Sequence, residues 1–246
     1  MASISNNEIK RIKSLQQKKF RDESGLFVVE GEKMVEEAIS SPFGVEAVYR
    51  RDDIGEDAMK RISSLASPSP VLATVRKPSD IYVDDLSGIQ LKPGLYLGLD
   101  SLRDPGNLGT ILRIADWFGI DAVYATRDTV DVFNPKVVQA TMGAIFRVKM
   151  HYVDLCDVAE AFIAAGGKVY GTFLDGMNMY RKELSIGTDA PVMIVIGNES
   201  EGISAAMEAL VSDRLYIPPY PADDPGSESL NAAVATAITV AEFRRR

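Results

Sequence analysis

Apolar residues recur along this chain in short runs set between longer amphipathic stretches. Ile9, Ile12 and Leu15 stand at helical spacing, which predicts an amphipathic helix over residues 5–21. Phe27-Val28-Val29 reads as a strand, Gly31–Ile39 as a helix and Val45–Tyr49 as a second strand. Glu56–Leu65 then reads as a helix and Val71–Val75 as a third strand, a rhythm that predicts a small α/β unit. Ser79–Asp85 makes a helical turn and Leu86–Gly94 a connector, so the boundary falls near residue 92 and divides the chain into 1–92 and 93–246.

The second part alternates more regularly. Strands are expected at Leu95–Leu99, Ala122–Ala125, Val148–Tyr152, Lys168–Leu174, Val192–Ile196 and Leu215–Ile217. Helices are expected at Asn107–Phe118, Pro135–Met142, Val158–Ala165 and Ser204–Leu210, with a long Ala-rich helix at the end. Val192–Ile196 is wholly apolar, as the centre of a parallel sheet requires. The fold class is therefore α/β, an open and mostly parallel sheet that offers ligand sites at the carboxyl ends of its strands.

Composition adds bounds to this picture. With 246 residues, 46% apolar and 25% charged, the chain is an ordinary globular protein with room for two modest domains. No apolar run is long enough to span a bilayer, the N-terminus lacks a hydrophobic signal core, and a single cysteine suits a reducing compartment. The expected location is the cytoplasm. A net charge of −8 opposes bulk attraction to nucleic acid. Residues 8–21 nevertheless carry six basic side chains and one acid, while Asp223, Asp224 and Glu228 crowd a late turn. The basic stretch and Arg244–Arg246 suit local phosphate contacts; charge alone equally suits a solvated helix and tail.

Three strand-to-helix turns carry the candidate chemistry. In the first, Pro105-Gly106 makes a tight turn, Asn107 is a candidate N-cap, and Arg113 lies nearly two helical turns further on. In the second, Gly197 directly after an apolar strand permits close approach of a ligand to backbone, and Glu199 projects from the same turn. The third opens the last helix and gathers Ser227, Ser229 and Asn231 where free backbone N–H groups accumulate. Neither a dinucleotide-binding glycine loop nor a Walker A loop is present, and no Cys/His cluster suggests a metal site.

Taken in order, DPGNLGTILRIADWFG, IVIGNESEGIS and the IP…SESLNAAVATAI segment resemble the SPOUT superfamily of RNA methyltransferases, and within it the SpoU/TrmH ribose 2′-O-methyltransferases. The resemblance covers about residues 95–243 and includes the intervening VFNPKVVQATMGAIFRV. It implies a deep trefoil knot, S-adenosylmethionine as cofactor, and a homodimer in which each site is completed across the interface. The cofactor positions that match are Ile196, Gly197, Ile217, Pro218 and Leu230; the catalytic ones are Asn107, Arg113, Glu199, Ser229 and Asn231. The turn PPYPADDPGSE departs from the shorter glycine-containing turn usual in the family. KKFRDESGLFVVEGEKMVEEAI resembles the start of a small RNA-binding domain found in several ribosomal RNA enzymes, which implies phosphate contacts from Lys18, Lys19 and Arg21.

Methyl transfer to a ribose hydroxyl is an in-line displacement that needs alignment and a destination for one proton. The family's chemistry maps to Arg113 as base or base-positioner. A free guanidinium is a poor base, so the safer role is to hold phosphate and hydroxyl. The expected function is 2′-O-methylation of structured RNA, foremost large-subunit ribosomal RNA. The alternatives are a transfer RNA substrate and a non-catalytic RNA-binding or assembly factor on the same fold. His151 and Cys156 lie outside the motifs, which argues against triad and cysteine-adduct chemistry.

Overall fold

A computed structural model describes residues 4–84, 86, 89, 91–184, 186, 189–221 and 229–245. Contacts gather the chain into two units, Met1–Ser79 with Asp131–Arg147, and Asp80–Val130 with Val148–Arg246. A single cut near residue 92 thus leaves out the grouping of residues 131–147 with the first unit.

The first unit opens with α1 (Asn6–Ser14) and α2 (Lys18–Ser24) in place of the one helix expected. Gln17 is extended and breaks the run. The cause lies in the buried Arg21, whose Nη1 donates to the carbonyls of Leu15 and Gln16 at 2.9 Å each, satisfying groups that the break would orphan. Its Nη2 and Nε donate to Asp131 Oδ2 at 2.6 and 3.1 Å. β1 (Leu26–Glu30), α3 (Glu32–Ser40), β2 (Val45–Arg50), α4 (Arg51–Ile54), α5 (Glu56–Ile62) and β3 (Val71–Arg76) follow. The sheet order is β1-β3-β2 with both pairings antiparallel. Ile9, Ile12 and Leu15, the predicted stripe, pack with Leu26, Met59, Ile62 and Leu72. A later helix, α7 in chain order (Pro135–Thr141), belongs here because Phe133 just before it lies 4.7 Å from Phe27, ring to ring.

The second unit holds β4 (Gly94–Leu99), α6 (Pro105–Trp117), β5 (Val123–Thr126), β6 (Met150–Val153), α8 (Leu155–Ala164), β7 (Lys168–Asn178), β8 (Pro191–Ile196), α9 (Ala205–Glu208), β9 (Asp213–Tyr216) and α10 (Ala232–Arg245). The six strands form one parallel sheet in the order β6-β5-β4-β8-β7-β9. β8 is buried along its whole length between β4 and β7, the central place its apolar sequence predicts. On one face Tyr96, Tyr124 and Phe162 pack with Val195 and Met207. Tyr170 of β7 meets Phe243 of α10 edge-on at 5.0 Å. β7 runs past its predicted end: Thr172 and Met177 both register with Leu215, so residues 173–176 bulge outward.

Candidate active site

β4 and β8 are parallel neighbours with Leu99 opposite Ile196, so their chains leave the sheet side by side. This register brings the first two motif turns together. α6 starts at Pro105, and its N-cap is Asp104, whose Oδ1 accepts from the Asn107 N–H at 2.8 Å. Asn107 is therefore inside the helix and is not the cap expected of it. Asp-Pro is the better pair at this place, because a carboxylate accepts a free N–H and proline at the first position has none to satisfy.

Relieved of capping, the Asn107 side chain is buried and joins the other turns. Its Nδ2 donates to Glu199 Oε1 at 2.9 Å, and its Oδ1 accepts from Asn231 Nδ2 at 2.7 Å. Glu199 also accepts from the backbone N–H groups of Asp104 (3.0 Å, Oε1) and Arg103 (3.1 Å, Oε2). Asn231 Oδ1 accepts from the N–H groups of Ala233 and Val234 at 3.0 and 3.3 Å and so caps α10. Three side chains from three turns thus form one hydrogen-bonded line, the convergence the sequence predicts.

The line fixes the electrostatics of Glu199. Burial pushes its carboxyl up, but the hydrogen bonds from Asn107 and from the Arg103 and Asp104 backbone outweigh that and hold it below its ordinary value. A carboxylate so stabilised is a clamp and a weak proton acceptor. Arg113 lies on the outer side of α6 with Gly106, Thr110 and Trp117, all exposed. It makes no hydrogen bond or ion pair among the described residues, and none joins it to Asn107 or Glu199. The site therefore pairs a tied polar line, of which Asn107 is the buried member, with a cation free to take a ligand.

The cofactor positions are less uniform. The Ile196 side chain is buried, and its carbonyl accepts from the Asp100 N–H at 2.9 Å. At Gly197 a Cβ would lie 2.2 Å from Gly202 C and 2.4 Å from Ile203 N. Its own loop therefore requires glycine at this position. Ile217 and Pro218 are half-buried just beyond β9, and Leu230 is half-exposed ahead of α10. Leu174, which sequence reasoning passed over, is exposed in the bulge of β7, the strand beside β9. Apolar side chains at the carboxyl ends of adjacent parallel strands fit the face of an adenosine. Ser229 is exposed and has no hydrogen bond among the described residues. Ser227, Asp223, Asp224 and Glu228 lie outside the described residues.

Asn198 and Asp100 also escaped the sequence reading. Asn198 Nδ2 donates to the Ser101 carbonyl at 2.7 Å, while its Oδ1 accepts from the Ser200 and Glu201 N–H groups. Asp100 Oδ2 accepts from the Ser204 N–H at 2.7 Å. An asparagine two residues before a polar turn is a signal for such a side-chain turn; the Asp100 contact, spanning 104 residues, leaves none.

Of the basic residues, Arg21 is buried to 2% exposure against Asp131, which withdraws it from phosphate contact and overturns the role expected of it. Lys18 and Lys19 are exposed and pair with Asp22 and Glu23 one turn on, at 2.6 and 3.9 Å. Arg244 donates to the carbonyls of Phe118 and Gly119, closing the end of α6, and Arg245 pairs with Glu242. His151 Nδ1 lies 2.8 Å from the Asp80 carbonyl, and burial, with the carboxylates of Asp154 and Asp100, pushes the Cys156 thiol up. Both fit structural roles. No helix is long and apolar enough to cross a membrane, and no metal-holding group of His, Cys, Asp and Glu occurs among the described residues.

Comparison with known proteins gives these turns a setting. A match to the SpoU rRNA Methylase family spans residues 94–241, and one to the MRM3-like substrate binding domain spans residues 6–58. The 23S rRNA (guanosine(2553)-2′-O)-methyltransferase RlmP of Bacillus subtilis is 32% identical over 257 residues, covering 98% of each chain. Mitochondrial rRNA methyltransferase 3 of Homo sapiens is 26% identical, over 92% of this chain and 69% of its own. The crystal structure of an AdoMet-bound rRNA methyltransferase from Sinorhizobium meliloti superposes with a TM-score of 0.86 at 29% identity, covering 100% of this chain and 97% of that one.

Proposed function

This chain belongs to the SpoU rRNA methylase family, and from that premise we propose that it methylates a ribose 2′-hydroxyl of large-subunit ribosomal RNA with S-adenosylmethionine as donor. The observation that carries the proposal is the line Glu199–Asn107–Asn231, which binds the three motif turns into one site. The cofactor, when bound, supplies a methyl group on a cationic sulfur. Ile217, Pro218 and Leu230, with Leu174, are the side chains suited to hold its adenosine, and Ile196 and Gly197 form the neighbouring strand end. Arg113 holds the acceptor hydroxyl and its phosphate. Asn107 and Glu199 keep the α6 turn in place for it, and Asn231 with Ser229 sets the start of α10.

Matches over residues 6–58 and 94–241 support a division of labour. Residues 1–92 bind substrate and residues 93–246 carry out transfer. Lys18 and Lys19 remain suited to phosphate, since exposed pairs one helical turn apart contribute only about 0.3–0.5 kcal/mol and exchange readily. Lys10 and Lys13 on the exposed side of α1 have no ion-pair partner among the described residues and suit the same role. The 23S rRNA enzyme of Bacillus subtilis among this chain's relatives supports a cytoplasmic location.

A homodimer fits the outer face of α6 and α10, where Trp117 is 84% exposed and Leu230 and Val234 about half exposed. Arg113 shares the exposed side of α6 with Trp117, as a site completed by a second copy requires. Sedimentation at micromolar concentration reads this directly, and a monomer contradicts it. For the chemistry, Arg113→Ala should lower methyl transfer about 100-fold or more while calorimetry still shows the cofactor bound. Loss of cofactor binding in that variant would make Arg113 part of the cofactor pocket.

A further inference from the structure

Beside the polar line lies a cleft of about 610 Å³, lined by Arg103, Asp104, Pro105, Asn198, Glu199, Ser200 and Glu201. Its ionisable groups are three acids and one base. Asp104 is spent on capping α6 and Glu199 on the loop amides, and Glu201 is exposed. A polyanion entering this cleft meets a single cation, Arg103.

That cation is held in place from two sides. Its backbone N–H donates to Glu199 Oε2 at 3.1 Å, and its Nη2 donates to Asp128 Oδ2 at 2.8 Å. Asp128 in turn accepts from Ser101 Oγ at 2.7 Å. Ser101 has φ 58°, the left-handed region that a serine enters only at a cost. The Arg103 side chain remains 62% exposed, so the pair with Asp128 is a solvated one of small worth to stability. Of five guanidinium N–H donors, one is engaged by Asp128 and the rest remain for a ligand. A planar fork biased in direction by one solvated bond, with donors to spare, is suited to take two oxygens of one phosphodiester.

We propose that Arg103 is a substrate-positioning residue: oriented by Asp128, it binds a backbone phosphate of the acceptor RNA at the mouth of the methyl-transfer cleft. The proposal rests on the RNA methyltransferase reading given above. It assigns Arg103 a role distinct from Arg113, setting the register of the strand and leaving the reacting hydroxyl to its neighbour.

The test uses the full-length protein and deproteinised 23S rRNA as probe, with filter binding across a salt series alongside methyl-transfer kinetics. Arg103→Gln should raise KM for RNA about tenfold with a much smaller change in kcat, as loss of ground-state positioning requires. The slope of log affinity against log salt should fall by roughly 0.7–0.9, one phosphate contact. Arg103→Lys should recover part of the KM, Asp128→Asn should raise it less than Arg103→Gln does, and cofactor binding should be unchanged in all three. An unchanged KM and salt slope in Arg103→Gln would reduce Arg103 to a surface ion pair. A fall in kcat alone, or lost cofactor binding, would equally overturn the proposal by making the residue a prop for the Glu199 loop. Wild-type protein that transfers no methyl, while Arg103→Gln still loses the salt slope, would sink the methyltransferase reading and leave Arg103 as an RNA contact.

Discussion

At the scale of the residue, Glu199 shows how a carboxylate in a catalytic motif is committed to architecture. Both oxygens receive loop donors, two from backbone and one from Asn107. Gln at this position would face the same N–H groups with an amide N–H of its own. Glu199 is exposed and solvent discounts these bonds, so Glu199→Gln should cost about 0.5–1.5 kcal/mol, read as a lower midpoint in chemical denaturation. The lowered carboxyl gives the pH signature. Its contribution is present above the ordinary 4.5 and is lost as pH falls through the lowered folded value. The stability gap between wild type and Glu199→Gln should then stay constant from neutral pH to about 5 and close only below 4.5. A gap that closes near neutrality would contradict the clamp.

Elements were legible where the pattern is local and illegible where a distant side chain decides. The apolar run of β8 announced a central strand, and the Ile9, Ile12 and Leu15 stripe announced a packed helix face. The break between α1 and α2 was not announced, since it depends on a guanidinium that meets an aspartate 110 residues away. A basic cluster in sequence reads as surface charge; only packing shows that Arg21 is buried. Arg21→Met should destabilise the protein by roughly 3–5 kcal/mol, because Asp131 would be left as a buried charge without its partner. Restoring stability by adding Asp131→Asn would support the pair, and an unchanged midpoint in Arg21→Met would refute it. The same contrast holds in the site. Asn107, Glu199 and Asn231 were legible as a set, but Asp104 took the capping role because Asp-Pro outcompetes Asn at the start of α6.

At the scale of the molecule, a parallel sheet in the order β6-β5-β4-β8-β7-β9 places the first two motif turns side by side, and the Asn107–Asn231 bond adds the third. Sequence alone could name the turns but could not supply the strand order that joins them. The resemblance implied the cofactor and a threaded topology, but the strand order is read only in the structure. The most direct test is transfer of labelled methyl from S-adenosylmethionine to total RNA of cells lacking this gene, followed by nuclease mapping. Label at one position of large-subunit ribosomal RNA, resistant to alkaline cleavage there, is the predicted result. Label confined to transfer RNA would keep the chemistry and overturn the substrate, and no label in any RNA despite bound cofactor would contradict the central claim.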